Sequence, residues 1–265
     1  MSPESVLLLL AAGALAGMLG GLFGIGGGVV VVPVLYAVFA AMDVPEAVRI
    51  KLAVGTSLAT IIVTSARSLR AHARTGRVDG RLLRAWAPFI ASGAVLGAAL
   101  ARVLPASGLT LVFAIGVLMI GVQRLVARAE PREGAGLPGV PLQRGLALGT
   151  GVLSSLMGIG GGVFGVLLLT RFGRSVHAAV ATAAGFGLAI AVPGALGFLV
   201  LGTGEGPWGT IGAVNLPAFG VVAAASALTA PFGARLAHAL PARVLSRAFA
   251  AYLLVTGVLL LREAL

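Results

Sequence analysis

Of the 265 residues, 58% are hydrophobic and only 10% are charged, and the mean hydropathy is +1.07. A soluble domain carries about a quarter of its residues as charges, so a water-facing surface is excluded, and the formal net charge of +11 reads as basic cytoplasmic loops rather than as a nucleic-acid footprint. The absence of cysteine excludes disulfides, Cys-ligated clusters and a thiol nucleophile.

Taken in chain order, the N-terminus Met1-Ser2-Pro3-Glu4 lacks the basic region of a signal peptide, and its apolar run continues too far for one. It is read as part of the mature chain. A long apolar segment, 5–42, is interrupted by Gly24-Ile25-Gly26-Gly27-Gly28. Three uninterrupted spans follow at 50–66, 85–103 and 108–123. A stretch rich in Pro, Gly and charge, 131–142, is the linker. The same order then recurs: 145–170, interrupted by Gly158-Ile159-Gly160-Gly161-Gly162, and spans at 177–201, 213–236 and 245–261. These lengths match what a helix needs to cross a ~30 Å hydrocarbon layer. No alternation of period two supports a barrel, and helices close their backbone hydrogen bonds internally, as lipid requires. The expected fold is an all-α polytopic membrane protein whose partner is the lipid bilayer.

The recurrence extends to single residues. Gly17, Leu19 and Leu22 match Gly151, Leu153 and Leu156. Gly97-Ala98, Leu100-Ala101 and Leu104-Pro105 match Gly233-Ala234, Leu236-Ala237 and Leu240-Pro241, while Asp79 stands opposite Asn215. Two repeats are expected, 1–130 and 143–265. Basic residues orient them. If each interrupted segment is a hairpin returning to its own side, the loops of one face hold Arg67, Arg70, Arg74, Arg77, Arg81, Arg84, Arg124, Arg128, Arg132, Arg144, Arg171, Arg174, Arg235, Arg243 and Arg247. Only Arg49, Lys51, Arg102 and Arg262 fall on the other face. If each segment crosses once, the split is far more even. The positive-inside rule therefore selects hairpins, inverted repeats, a cytoplasmic linker and both termini outside the cell membrane. Inverted repeats with interrupted helices are a common secondary-transporter architecture, with substrate held near the midplane.

Three consecutive glycines cost a helix about 1 kcal/mol each relative to Ala. In return they allow positive φ and close approach to backbone. A half-helix that restarts there aims its free N–H groups and positive dipole end at the break, which suits a small anion. Close helix packing is the competing role of such glycines. No Gly-Lys-Ser/Thr follows, so a phosphate-binding loop is excluded.

Gly17 through Pro33 with its Gly-Ile-Gly-Gly-Gly, Ala53-Val54-Gly55-Thr56-Ser57-Leu58, and the His72, Gly76, Val78, Asp79 loop together resemble the TauE/SafE sulfite exporter family. The resemblance covers nearly the whole chain. It implies an anion transporter of about eight helical segments moving sulfite, sulfonates, thiosulfate or related organic acids. The second half departs from the first, with Ala181-Thr182-Ala183 where Gly55-Thr56-Ser57 stands, so it offers fewer hydroxyls.

The candidate substrate site is formed by Gly26, Gly27 and Gly28 with Gly160, Gly161 and Gly162, and by the hydroxyls of Thr56, Ser57 and Thr182. Ser57, Thr60 and Thr64 share a helix face. Such hydroxyls can donate to a sulfonyl or carboxylate oxygen, or bond their own i−4 carbonyl; the sequence leaves both roles open. Lys51 and His177 each stand five residues before Thr56 and Thr182, placed either to attract an anion or to snorkel. Ser154 and Ser155 precede the second break where Gly20 and Gly21 precede the first. All eight carboxylates fall in or near loops, which argues against a cation as substrate, and Asp79 and Asn215 are expected to cap the helices that follow them. His72, His177 and His238 show no metal-ligand spacing, and no catalytic triad can be assembled, so no cofactor and no enzymatic activity are expected. The reading is a secondary transporter of a small anion, with an anion channel as the alternative; the oligomeric state is not encoded in any motif.

Overall fold

The computed structural model describes residues 3–23, 28–74, 76, 78–126, 136–239 and 241–265. They form ten helices and one short hairpin. In the first half these are α1 (Pro3–Phe23), α2 (Gly28–Ala41), α3 (Glu46–Arg74), α4 (Gly80–Val103) and α5 (Ala106–Val126). The second half holds α6 (Val140–Leu156), α7 (Gly162–Arg171), α8 (Val176–Leu201), β1 (Thr210–Ile211), β2 (Val214–Asn215), α9 (Leu216–Ala239) and α10 (Ala242–Ala264). Among the described residues, seven helices are long and apolar enough to cross a membrane. The fold is an all-α polytopic membrane protein.

The interrupted segments are the exceptions in length. At 1.5 Å per residue, α2 with 14 residues and α7 with 10 span only about 21 and 15 Å, so each falls short of the ~30 Å hydrocarbon layer. Both end alike. Gly173 (φ 79°) follows α7, where Gly173 N–H donates to Thr170 O and Arg174 N–H to Leu169 O. After α2, Asp43 (φ 56°) does the same, with bonds from Asp43 N–H to Ala40 O and from Val44 N–H to Phe39 O. Each is a Schellman stop that satisfies the last carbonyls of a short helix.

The helices pack across the halves, and glycines set the contacts. α1 runs parallel to α9: Gly13 faces Val222 and Ala225, Gly17 faces Ser226 and Thr229, and Gly21 faces Ala230. The counterpart pair, α4 and α6, is also parallel, with Gly93 against Leu148, Gly97 against Val152, and Gly151 against Ile90. α3 and α8 are antiparallel, since Gly55 meets Phe198, Leu58 meets Gly194 and Ser65 meets Gly187. So are α5 and α10, where Gly121 meets Leu254 and Gly257 meets Leu118. Small residues let backbones approach closely where lipid supplies no hydrophobic drive to associate. Wholly buried Trp86 of α4 stacks on Phe186 of α8 with centroids 5.6 Å apart, and its indole N–H donates to Gln143 Oε1 at 3.1 Å.

Helix boundaries differ from the apolar windows for physical reasons. The expected span 50–66 is the middle of a 29-residue helix that continues to Arg74, because the Arg- and Ala-rich stretch beyond the apolar run still favours helix. The span expected to begin at 213 starts at Leu216, since Asn215 Oδ1 accepts from Ala218 N–H at 2.8 Å and caps it. Asp79 caps α4 in the same way through Leu82 N–H at 3.0 Å.

Candidate substrate site at the second glycine break

α6 ends in a third Schellman turn. Gly158 takes φ 60°, which favours glycine, while its N–H donates to Ser155 O and Ile159 N–H donates to Ser154 O. The chain then crosses to Gly162 and restarts as α7. Everything from Ser154 to Gly161 is buried. The break is lined by α3 on one side: a Cβ on Gly158 would lie 2.9 Å from Val54 Cα, and one on Gly160 would lie 3.1 Å from Ile61 Cγ2. On the other side is α8, where a Cβ on Gly161 would lie 2.6 Å from Phe186 Cβ and 2.7 Å from Gly187 N.

Gly28, the first residue of α2, packs directly on this break. A Cβ there would lie 2.9 Å from Gly160 N and 3.0 Å from Ile159 Cα. The N-terminus of α2 and the approach to α7 therefore meet beside Ile61, level with the middle of α3. The first N–H groups of both short helices lack an intrahelical acceptor and carry the positive dipole ends. Gly26 and Gly27 lie outside the described residues.

The hydroxyls divide between the break and the two ends. Ser57, fully buried, donates to Gly158 O at 2.9 Å and so binds α3 to the break. Thr60 and Thr64 bond carbonyls of their own helix, Thr56 O and Ile61 O. Thr56 Oγ1 instead accepts the Asn215 N–H at 3.0 Å, and Thr182 Oγ1 accepts the Asp79 N–H at 3.0 Å. The two threonines are thus repeat-related fasteners, each holding the cap residue of a helix in the other half. They are not brought together. In the antiparallel α3–α8 register Thr56 stands opposite the stretch near Phe198, about 14 residues or ~21 Å along α8 from Thr182. Neither hydroxyl proton has an acceptor among the described residues, so both can still donate.

Each fastener sits in a different setting. Beside Thr182, Asp79 pairs with Arg174 at 2.9 Å, and His177 is exposed in the first turn of α8. Beside Thr56, Asn215 Nδ2 donates to Trp208 O at 3.2 Å and to Thr210 Oγ1 at 3.0 Å, tying down the β1–β2 hairpin. At that end Lys51 Nζ donates to Arg102 O at 3.2 Å, near the end of α4, and borders a small cavity of about 50 Å³ with Arg102 and Glu205. Replacing either threonine by Val strands a backbone N–H. A buried unsatisfied donor costs about 1–3 kcal/mol, so Thr56→Val and Thr182→Val are each expected to lower the melting temperature in detergent. The larger drop belongs to Thr56, whose partner Asn215 is 2% exposed. An unchanged melting temperature in both would refute the fastener role.

Sequence reasoning singled out Ser57, Thr56 and the second glycine cluster, but their long-range partners had no signal in it. The β1–β2 hairpin and the Asp79–Arg174 pair went unread as well.

Comparison with known proteins gives a consistent picture. The family model described as "Sulfite exporter TauE/SafE" matches residues 9–260. A Haemophilus influenzae protein named "Probable membrane transporter protein" is 33% identical over 257 residues, covering 96% of this chain and 97% of its own length. Similarly named proteins of Methanocaldococcus jannaschii (30% identical; 79% and 78% covered) and Bacillus subtilis (31%; 67% and 72%) are also similar. No solved structure matches.

Proposed function

The chain belongs to the TauE/SafE sulfite exporter family, and from that premise we propose a secondary transporter of small sulfur-containing or organic anions such as sulfite, sulfonates or thiosulfate. It works by alternating access around a site at the glycine breaks. The observation that carries this reading is the packing of the α2 N-terminus at Gly28 on Gly160, two residues before α7 begins, beside the middle of α3. A bare anion in hydrocarbon is prohibitively unstable unless donors converge on it. Half-helix N-termini supply partial positive charge without a buried lysine that would hold the ion too tightly to release. Gly28 and Gly160–Gly162 form the core of the site, and the sequence assigns Gly26 and Gly27 to it. Thr56 and Ser57 border it on α3, where the Ser57 proton goes to Gly158 O and only that of Thr56 can still be donated. Thr182 acts at the far end. Lys51 and His177 draw anions toward opposite ends. The relatives are named as membrane transporters, which points to a non-enzymatic role.

Proteoliposomes test it. Uptake of sulfite, methanesulfonate or thiosulfate should saturate and be accelerated by the same anion on the trans side. Single-channel currents without saturation would favour a channel, and transport of a cation that no anion inhibits would refute the proposal.

The inverted arrangement rests on the antiparallel packing of the repeat-equivalent pairs α3–α8 and α5–α10. With basic loops facing the cytoplasm, the protein lies in the inner membrane with both termini outside. Single cysteines at positions 73, 139 and 247 should react with a membrane-impermeant reagent from the cytoplasmic side only, and one at 206 from outside only. Labelling of 247 from outside would exclude the inverted topology.

A further inference from the structure

Ser154 and Ser155 occupy the last turn of α6, immediately before the second break, and both are 0% exposed. Among the described residues neither hydroxyl has a hydrogen-bond partner. The buried hydroxyls around them behave differently. Thr150, one turn earlier on the same helix, donates to Leu146 O at 2.7 Å, and Thr110 donates to Ala106 O at 3.0 Å. Thr56, Ser57, Thr182 and Ser226 are all bonded to distant backbone. A helical serine can always fall back on its i−4 carbonyl, yet these two do not, and an unsatisfied buried hydroxyl is costly. Ser155 Oγ points into the seam with α8, 3.1 Å from where a Cβ on Gly194 would stand, and Gly97 of α4 lies against its Cβ. Three and four residues further on, Gly158 receives the Ser57 hydroxyl. The second break thus gathers Ser57, Ser154 and Ser155, whereas their sequence counterparts for the first break are Ala183, Gly20 and Gly21, which carry no hydroxyl.

Building on the anion-transport reading above, we propose that Ser154 and Ser155 are substrate-binding donors. Their hydroxyls hydrogen-bond the oxygens of a small oxyanion, so that the second repeat adds side-chain donors to the site. Neutral hydroxyls suit this task. They meet oxyanion oxygens in the absence of water and add no fixed charge to impede release.

The test is anion binding to the purified full chain in nanodiscs, by calorimetry and thermal shift, with sulfite and with methanesulfonate as probes. Ser154→Ala and Ser155→Ala should each weaken binding about tenfold, the size of one lost hydrogen bond to a charged group, and the double variant more. Because the hydroxyls are unpaired without ligand, the substrate-free double variant should melt at or above the wild-type temperature. Thr150→Ala, which loses a hydroxyl already satisfied by its own helix, should bind as wild type does. Anion binding by wild type that survives unchanged in the double variant overturns this inference alone. So does weakened binding accompanied by a lower substrate-free melting temperature, which would mark the serines as structural. Failure of wild type to bind either anion overturns the transport reading and this inference with it.

Discussion

Gly28→Val is expected to abolish transport while the protein still inserts into the membrane. Two of the three nearest atoms to a Cβ at this position are main chain, Gly160 N at 2.9 Å and Ile159 Cα at 3.0 Å, and the third is Ile61 Cδ1 at 2.8 Å. A side-chain terminus can rotate away, but backbone cannot yield without moving α2 off the second break. Overpacking of this kind typically costs about 1–3 kcal/mol. The larger effect is on function. Separating the two half-helix N-termini removes more than one donor from the proposed anion, and each hydrogen bond to a charged ligand is worth about 1.5–3 kcal/mol. Flux should fall by more than about a hundredfold. Membrane insertion should survive, because Val raises the hydropathy of an already apolar helix. The measurement is proteoliposome flux normalised to reconstituted protein, with Gly28→Ala expected to fall between the two. Wild-type flux in Gly28→Val would mean that the meeting of the breaks does not form the site.

Gly151→Val should prevent the protein from being recovered folded. Its missing Cβ is the space into which α4 fits: a side chain there would collide with the Ile90 carbonyl and lie 2.9 Å from Ala94 N. Without a hydrophobic drive between helices in lipid, this seam relies on close packing, so its loss is not offset elsewhere. Gly149, two residues earlier, has nothing within 4 Å of its would-be Cβ. Gly149→Val is therefore the matched control, carrying the same chemical change on the same helix. Detergent extracts should show loss of the monodisperse peak in size exclusion for Gly151→Val and a wild-type profile for Gly149→Val. Equal behaviour of the two would show that α4 and α6 do not depend on this contact.

The helical membrane class was legible in composition alone, because lipid leaves so few backbone solutions. The correspondence of Asp79 with Asn215 was legible too, as a matter of register, and both residues cap their helices. What stayed hidden were pairings set only in three dimensions. Thr56 lies 159 residues from Asn215 and Thr182 lies 103 residues from Asp79. No local pattern reports that a hydroxyl inside an apolar span will bond the cap of a helix so far away. Glycine was ambiguous for a related reason. Gly151 and Gly160 look alike in the sequence, but one is a seat for a neighbouring helix and the other a turn against which a second helix begins.

The unequal settings of the two fasteners give the ends of the molecule different sensitivities to their surroundings. In the Asp79–Arg174 pair the side chains are 28% and 43% exposed, respectively, so its attraction is within reach of dissolved ions and weakens as they are added. Asn215 is shut away from solvent and grips the hairpin through neutral amide bonds, which ions in solution scarcely touch. Raising the ionic strength therefore loosens one end of the protein and leaves the other as it was.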